Sequence, residues 1–201
     1  MDPERWNHNI HLHPLILEAV PAGARRALDV GCGEGMLTRE LRSQVDEVVG
    51  IDLDGPSIEL ARAAGGEGIE YVPGDVLTHP LAPGSFDLVA SVATLHHMDS
   101  AAGLGRMGEL LRPGGVLVVV GLARTRSPLD LAYDLGGAVT TRWLERTRTY
   151  WEHSAPMVWP PPQSYGQLRR TAERVLPGVR YRRHVLWRCS LTWTKPPADP
   201  G

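Results

Sequence analysis

The chain has 201 residues, and one lysine stands in it against 20 arginines, with only two cysteines. Each scarcity removes a class of function. Cys32 and Cys189 are too few for a disulfide framework or a thiolate metal motif. The single lysine, Lys195, lies near the chain end, so no Tyr-x-x-x-Lys pair exists. No apolar run approaches the roughly 18 residues of a membrane-crossing helix. The opening residues, Met-Asp-Pro-Glu-Arg-Trp-Asn-His, lack the apolar centre of a signal peptide. A cytoplasmic, reduced protein away from membranes is therefore expected. His8, His11 and His13 cluster in sequence without an acidic or cysteine ligand nearby, so no metal is expected there.

The rest of the composition is that of a soluble globular protein, 42% hydrophobic and 22% charged, and its length suits one domain spanning residues 1–201. The charge is unevenly placed. Residues 1–123 hold 8 arginines and 17 acidic residues, a net −9; residues 124–201 hold 13 basic and 6 acidic residues, a net +7. Such asymmetry suits an anionic partner, and equally an arginine-rich solvated face. Arg169, Arg170, Arg182 and Arg183 can contact phosphates, but no nucleic-acid fold signature accompanies them and the pI is about 6.4. A small anionic molecule accounts for the same charges; nucleic acid is not expected. Monomer and homodimer are both left open.

Residues 26–35, Arg-Ala-Leu-Asp-Val-Gly-Cys-Gly-Glu-Gly, organise the chain. A short apolar run precedes glycines at positions 31, 33 and 35, and Met36, Leu37 and Leu41 follow at helical spacing. Strand, glycine turn, helix is an arrangement that lets a ligand approach backbone amides closely. A second strand over 48–53 ends in Asp52, 19 residues beyond Gly33, where an acid reaches ribose hydroxyls in a strand–helix–strand unit. Asp54 is expected to cap the helix that follows, leaving Asp52 for a ligand. A third strand from Ile69 leaves through Pro-Gly-Asp; Asp75 can satisfy the turn or accept from an adenine amino group, with the Val76 amide beside it. A strand starting at Phe86 runs into His96 and His97. A helix over 100–112 and a strand from Val116 complete five strands alternating with helices, which implies a doubly wound, Rossmann-like α/β sheet with helices on both faces and its ligand at the strands' carboxyl ends.

The flanks read differently. Residues 1–20 form an N-terminal segment with a helix starting near Pro14, and Trp6, Asn7 and His8 are candidates to line the pocket. Residues 21–123 are the cofactor core. Residues 124–178 form a helical, aromatic-rich cap, with a break expected at Gly136–137 and a capping box at Ser164 opening a last helix. Tyr133, Trp143, Trp151 and Trp159 are its candidate substrate contacts, alongside His8. Residues 179–195 suit two closing strands that turn near 186–188.

Four motifs, Leu28-Asp-Val-Gly-Cys-Gly-Glu-Gly, Val49-Gly-Ile-Asp, Gly74-Asp-Val, and Phe86-Asp-Leu-Val with Leu111-Arg-Pro-Gly-Gly, occur in this order. In them the chain resembles the class I S-adenosylmethionine-dependent methyltransferases of the small-molecule type. The resemblance is close over about residues 26–122 and looser over 179–195. It implies a seven-stranded sheet, mostly parallel with an antiparallel last strand. It implies S-adenosylmethionine as cofactor, S-adenosylhomocysteine as product, and methyl transfer to an oxygen or nitrogen of a small molecule. Carried over residue by residue, Asp29, Gly31, Cys32 and Gly33 would face the methionine part, Asp52 and Leu53 the ribose, and Gly74, Asp75 and Val76 the adenine. Ser91, Val92 and His96 would lie beside the methionine, with Trp6 and Asn7 over the cofactor. His96 and His97 are the candidate general bases, His96 favoured as nearer the strand end; His8, His153 and His184 are weaker ones. A nicotinamide-dependent oxidoreductase is an alternative, although its Gly-x-Gly-x-x-Gly spacing is absent. A cofactor-binding module without catalysis is another.

Overall fold

The computed structural model describes residues 5–144, 146, 149–151 and 160–197. Its centre is a seven-stranded sheet: β1 (Arg26–Val30), β2 (Glu47–Asp52), β3 (Ile69–Pro73), β4 (Phe86–Val92), β5 (Leu111–Gly121), β6 (Arg180–His184) and β7 (Arg188–Thr194). The spatial order is 3-2-1-4-5-7-6, and every pairing is parallel apart from those of β7, which is antiparallel to both β5 and β6. Both faces are covered, so the central strands are continuously apolar. Alternate residues serve opposite layers. Leu88, Ala90, Val118 and Val120 meet Leu12, Ile16, Leu37 and Leu41 on one side. Val89, Leu117 and Val119 meet Leu104, Met107, Leu168 and Ala172 on the other. Each such side chain contributes about 1.5–3 kcal/mol on burial.

The helices are α1 (His13–Leu17), α2 (Met36–Arg42), α3 (Gly55–Ala64), α4 (Ser100–Leu110), α5 (Pro128–Leu144) and α6 (Tyr165–Val175). The Asp54 side chain accepts from the Ser57 amide at 3.0 Å and so caps α3, and Ser164 with Gln167 forms the capping box of α6. Two boundaries differ from expectation. The fourth helix stops at Leu110 and β5 begins at once, because Leu111 pairs with Phe86 across the sheet. The single lysine explains how that helix end is satisfied: Lys195 Nζ donates to the carbonyls of Gly108, Glu109 and Leu111 at 3.0, 3.2 and 2.7 Å. The expected break at Gly136–137 is absent, and α5 runs through both glycines. Gly137 instead lets α5 approach the β6–β7 turn closely, since a Cβ there would lie 3.2 Å from the Leu186 amide nitrogen.

The motif residues Asp87 and Arg112 turn out to work at the amino ends of the central strands, remote from the glycine turn. Asp87 accepts from the Arg25 and Arg26 amides at 2.6 and 2.9 Å and pairs with Arg112, fastening β1, β4 and the start of β5 together. At the carboxyl ends the N-terminal segment joins the residues beyond α5. Residues Arg5–Trp6 pair in parallel with Thr149–Tyr150, and the Trp151 amide donates to the Trp6 carbonyl at 2.8 Å. Arg183 anchors α5, lying 3.7 Å from Asp130 and stacked 3.2 Å above the Tyr165 ring centre. Among the described residues no helix is long and apolar enough to cross a membrane.

Candidate active site

A groove of about 590 Å3 opens at the carboxyl ends of β1 to β4, between the glycine turn and the N-terminal segment. The turn is built by backbone geometry. The amides of Gly31 and Cys32 both donate to the Ile51 carbonyl, at 2.8 and 3.2 Å. Gly31 has φ +73°, and a Cβ there would collide with the Thr94 side chain. Gly33 has φ +52°, yet a Cβ there would meet no protein atom within 4 Å. The two glycines therefore serve different ends: Gly31 admits Thr94, and Gly33 leaves the groove open.

Asp52 is held at the end of β2 by amides on both oxygens, from Gly33 at 2.8 Å and from Asp54 at 2.9 Å. Each oxygen keeps a lone pair for a further donor. Asp75 closes its turn by accepting from the Leu77 amide at 2.9 Å. The loop beyond it is clamped by Arg106, whose guanidinium donates to the carbonyls of Val76, His79 and Leu81 at 3.2, 3.1 and 3.0 Å. Asp29 forms part of the floor, is 1% exposed, and accepts from Thr38 Oγ1 at 2.7 Å. Burial pushes its carboxyl up to about 6. Burial also raises the Cys32 thiol, which keeps it protonated and unreactive at neutral pH.

At the other end β4 stops at Val92. Ala93 adopts φ +52°, its amide donates to the Val120 carbonyl at 2.8 Å, and the reversal carries Thr94 over Gly31. A single helical turn, Leu95–His97, follows and sends two adjacent histidines in different directions. His97 lines the groove. Its pKa is lowered by burial, with Asp52 acting in opposition. His96 does not line the groove. It borders a small separate cavity with Gly121, Pro161 and Gln163, its Nδ1 is buried with no hydrogen-bond partner among the described residues, and burial first, then His97 and Arg188, lower its pKa to about 4.

The groove thus gathers Asp29, Gly31, Cys32, Gly33, Asp52, Leu53, Gly74, Asp75, Val76, Val92, His97 and Trp151 from the sequence-derived candidates. Others stand elsewhere. Ser91 is fully buried beneath the floor and donates to the Val30 carbonyl at 3.0 Å. Trp6 is buried against Leu144 and Leu186, and Asn7 spends its side chain on the Asn9 and Ile10 amides and the Trp151 carbonyl. His8 packs against Tyr150 and Trp187 and lies 3.3 Å from Thr141 Oγ1. Burial, Arg188 and His11 lower its pKa to about 4. Tyr133 lies under the Arg183 guanidinium, and Trp143 is 63% exposed on the outer face of α5. Trp6, Asn7, His8 and Tyr133 thus tie the N-terminal segment, α5 and the β6–β7 hairpin to each other, whereas Ser91 packs beneath the floor and Trp143 faces outward. His184, a weaker base candidate, lies 2.7 Å from Ser190 Oγ. Trp159 and His153 fall outside the described residues. Sequence reasoning missed Thr94, Asn9 and His13, the last paired at 2.9 Å with Glu40. The absent side chain at Gly31 was the available signal for Thr94; the other two left none. No three His, Cys, Asp or Glu side chains gather as a metal site would require, among the described residues.

Known proteins resemble the chain in sequence and in fold. A methyltransferase domain model matches residues 28–119. An uncharacterized methyltransferase of Mycobacterium tuberculosis is 38% identical over 193 residues, covering 95% of this chain and 98% of that protein. A ubiquinone biosynthesis O-methyltransferase of Mesorhizobium japonicum is 32% identical over 132 residues, covering 64% of this chain but only 53% of that enzyme. Among solved structures, a methyltransferase of Methanosarcina mazei superposes with TM-score 0.64 at 18% identity, over 92% of this chain and 98% of that one. A [4+2]-cyclase, SpnF, superposes with TM-score 0.67 at 15% identity, over 94% of this chain and 81% of that one, so the shared fold does not by itself fix the reaction.

Proposed function

The chain belongs to the class I S-adenosylmethionine-dependent methyltransferases of the small-molecule type, and from that premise we propose that it methylates an oxygen or nitrogen atom of a small acceptor held between His97, Asn9 and Trp151. S-adenosylmethionine is the cofactor. The observation that carries the reading is the charge of the groove wall. Asp29, Glu34, Asp52, Asp54, Asp75 and Asp99 line it, and no arginine or lysine does among the described residues. Such a wall favours a ligand bearing a sulfonium and an ammonium and disfavours the pyrophosphate of a nicotinamide dinucleotide. Family membership removes the oxidoreductase alternative as well.

The wall fits the cofactor in shape too. The open space over Gly33 admits a ligand against the turn, and the remaining lone pairs of Asp52 suit two vicinal hydroxyls. Gly31, Gly33 and Asp29 would hold the methionine part, Asp52 and Leu53 the ribose, and Asp75 with the Val76 amide the adenine. When bound, the cofactor supplies an electrophilic methyl group on sulfur. The chain's own contribution is placement, which supplies roughly 7–11 kcal/mol of such a barrier when the partners are held in line. His97, neutral at pH 7 because its pKa lies below the ordinary value, takes a proton from the acceptor's hydroxyl or ammonium at a ring nitrogen. Residues 5–20 and the cap beyond 124 act with the core as one unit, covering the acceptor and excluding water.

The experiment is incubation with methyl-labelled S-adenosylmethionine and a metabolite extract. Label is expected in a low-mass product at an oxygen or nitrogen. Label found only in protein or nucleic acid, or on carbon, would overturn the reading.

A further inference from the structure

Asn9 stands on the groove wall, and its amide is fixed in one orientation. Arg188 Nε and Nη2 both donate to Asn9 Oδ1, at 2.9 and 2.8 Å. A guanidinium only donates, so the oxygen of that amide is the atom turned toward Arg188 and the amino group is the atom left over. Asn9 Nδ2 has no partner among the described residues. Its two N–H groups are therefore donors held ready on the wall.

Among the described residues no carboxylate pairs with the cation behind them. Arg188 Nη1 donates to the Leu186 and Trp187 carbonyls, at 3.5 and 3.3 Å. The described groups that act on its charge are Tyr165, Tyr150 and Cys189, with no carboxylate among them. Its described neighbours from other elements include His8 from the N-terminal segment, His96 from the turn after β4, and His184 and Arg183 from β6, all basic or neutral. Among the described residues the nearby acids Asp130 and Asp134 lie against Arg183. The Arg188 charge therefore reaches the acidic groove wall through the Asn9 amide.

Resting on the methyltransferase reading above, we propose that Asn9 is the acceptor-specificity residue and Arg188 its positioning residue, and that together they select an acceptor carrying an anionic oxygen, as in an organic carboxylate. A charged oxygen gains from a donor backed by a cation. A neutral amide placed there would offer an amino group to an amino group.

The test uses the whole protein saturated with S-adenosylhomocysteine and titrated with aliphatic and aromatic carboxylates, each beside its own primary amide. At least one carboxylate should bind about tenfold or more tightly than its amide, in line with a hydrogen bond to a charged group. Asn9→Asp keeps the contact with Arg188 but presents an oxygen to the groove, and it should abolish that preference while leaving S-adenosylhomocysteine bound. Arg188→Gln frees the amide to turn and should weaken the preference; Asn9→Asp carries the test if that variant fails to fold. A panel in which no carboxylate outbinds its amide, or a preference that survives Asn9→Asp, overturns the proposal. Failure of the wild-type protein to bind S-adenosylhomocysteine would overturn the groove assignment beneath it, which is a different result.

Discussion

At the end proposed for the cofactor the groove is shaped by backbone, within short spans of sequence and at the ends of adjacent strands. Gly31 and Gly33 hold their turn by left-handed φ, Asp52 is gripped by two amides, and Asp75 closes its own loop. At the end proposed for the acceptor the shape comes from side chains far apart in the chain. Arg188 reaches Asn9, Trp151 arrives by pairing of its strand with Trp6, and His97 depends on a single helical turn. Backbone-built geometry is rigid and indifferent to most side chains. Side-chain geometry is adjustable, which is what an acceptor site that varies between enzymes requires.

The largest effect should come from the acceptor end. His97→Gln should lower kcat by about 100-fold or more if it is the base, whereas His96→Gln should leave kcat within a few-fold. Equal effects of the two, measured with one acceptor, would erase the distinction drawn between the groove and the cavity behind it. At the cofactor end, Gly31→Ala should destabilise the protein by about 3 kcal/mol in urea unfolding, through the collision with Thr94 and the left-handed backbone. Gly33→Ala should cost about 1 kcal/mol for the backbone alone but weaken S-adenosylhomocysteine binding by more than that stability loss would suggest.

A smaller effect tests the floor. The Asp29 carboxyl is raised from 3.8 to about 6 in the fold, so the folded state holds the extra proton between these values. The ligand-free protein should therefore lose stability as pH rises from about 4 to about 6, and Asp29→Asn should remove that loss. The ammonium of S-adenosylhomocysteine favours the ionised form, so its affinity at pH 5 should be about tenfold below that at pH 7.5, and the dependence should flatten in the same variant. The smallest effect is at Trp143, where replacement by Ala should change acceptor KM by less than about twofold and stability by less than about 0.5 kcal/mol. A large rise in KM would return the outer face of α5 to the site.

The same contrast governs what could be read in the chain. The sheet, its helices and the cofactor wall follow from short-range patterns: apolar alternation, a glycine turn, an acid at a strand end. Thr94 was hinted at only by the missing side chain it packs against. Asn9 and Arg188 are 179 positions apart and belong to no motif, so nothing local announces their contact. His96 and His97 are equivalent in sequence, and the phase of one helical turn separates them. Trp6, Tyr133 and Trp143 were assigned to the pocket because aromatic density marks both packing and binding; here packing or exposure claims all three. Asp87 and Arg112, prominent in the family's motifs, join the central strands at their amino ends, opposite the groove.

The most direct measurement is calorimetric titration of S-adenosylhomocysteine into the wild-type protein and into Asp52→Ala. Binding to the wild type, weakened by about tenfold or more in the variant, is the result the account predicts. No binding to the wild type, or the same affinity in both, would contradict it.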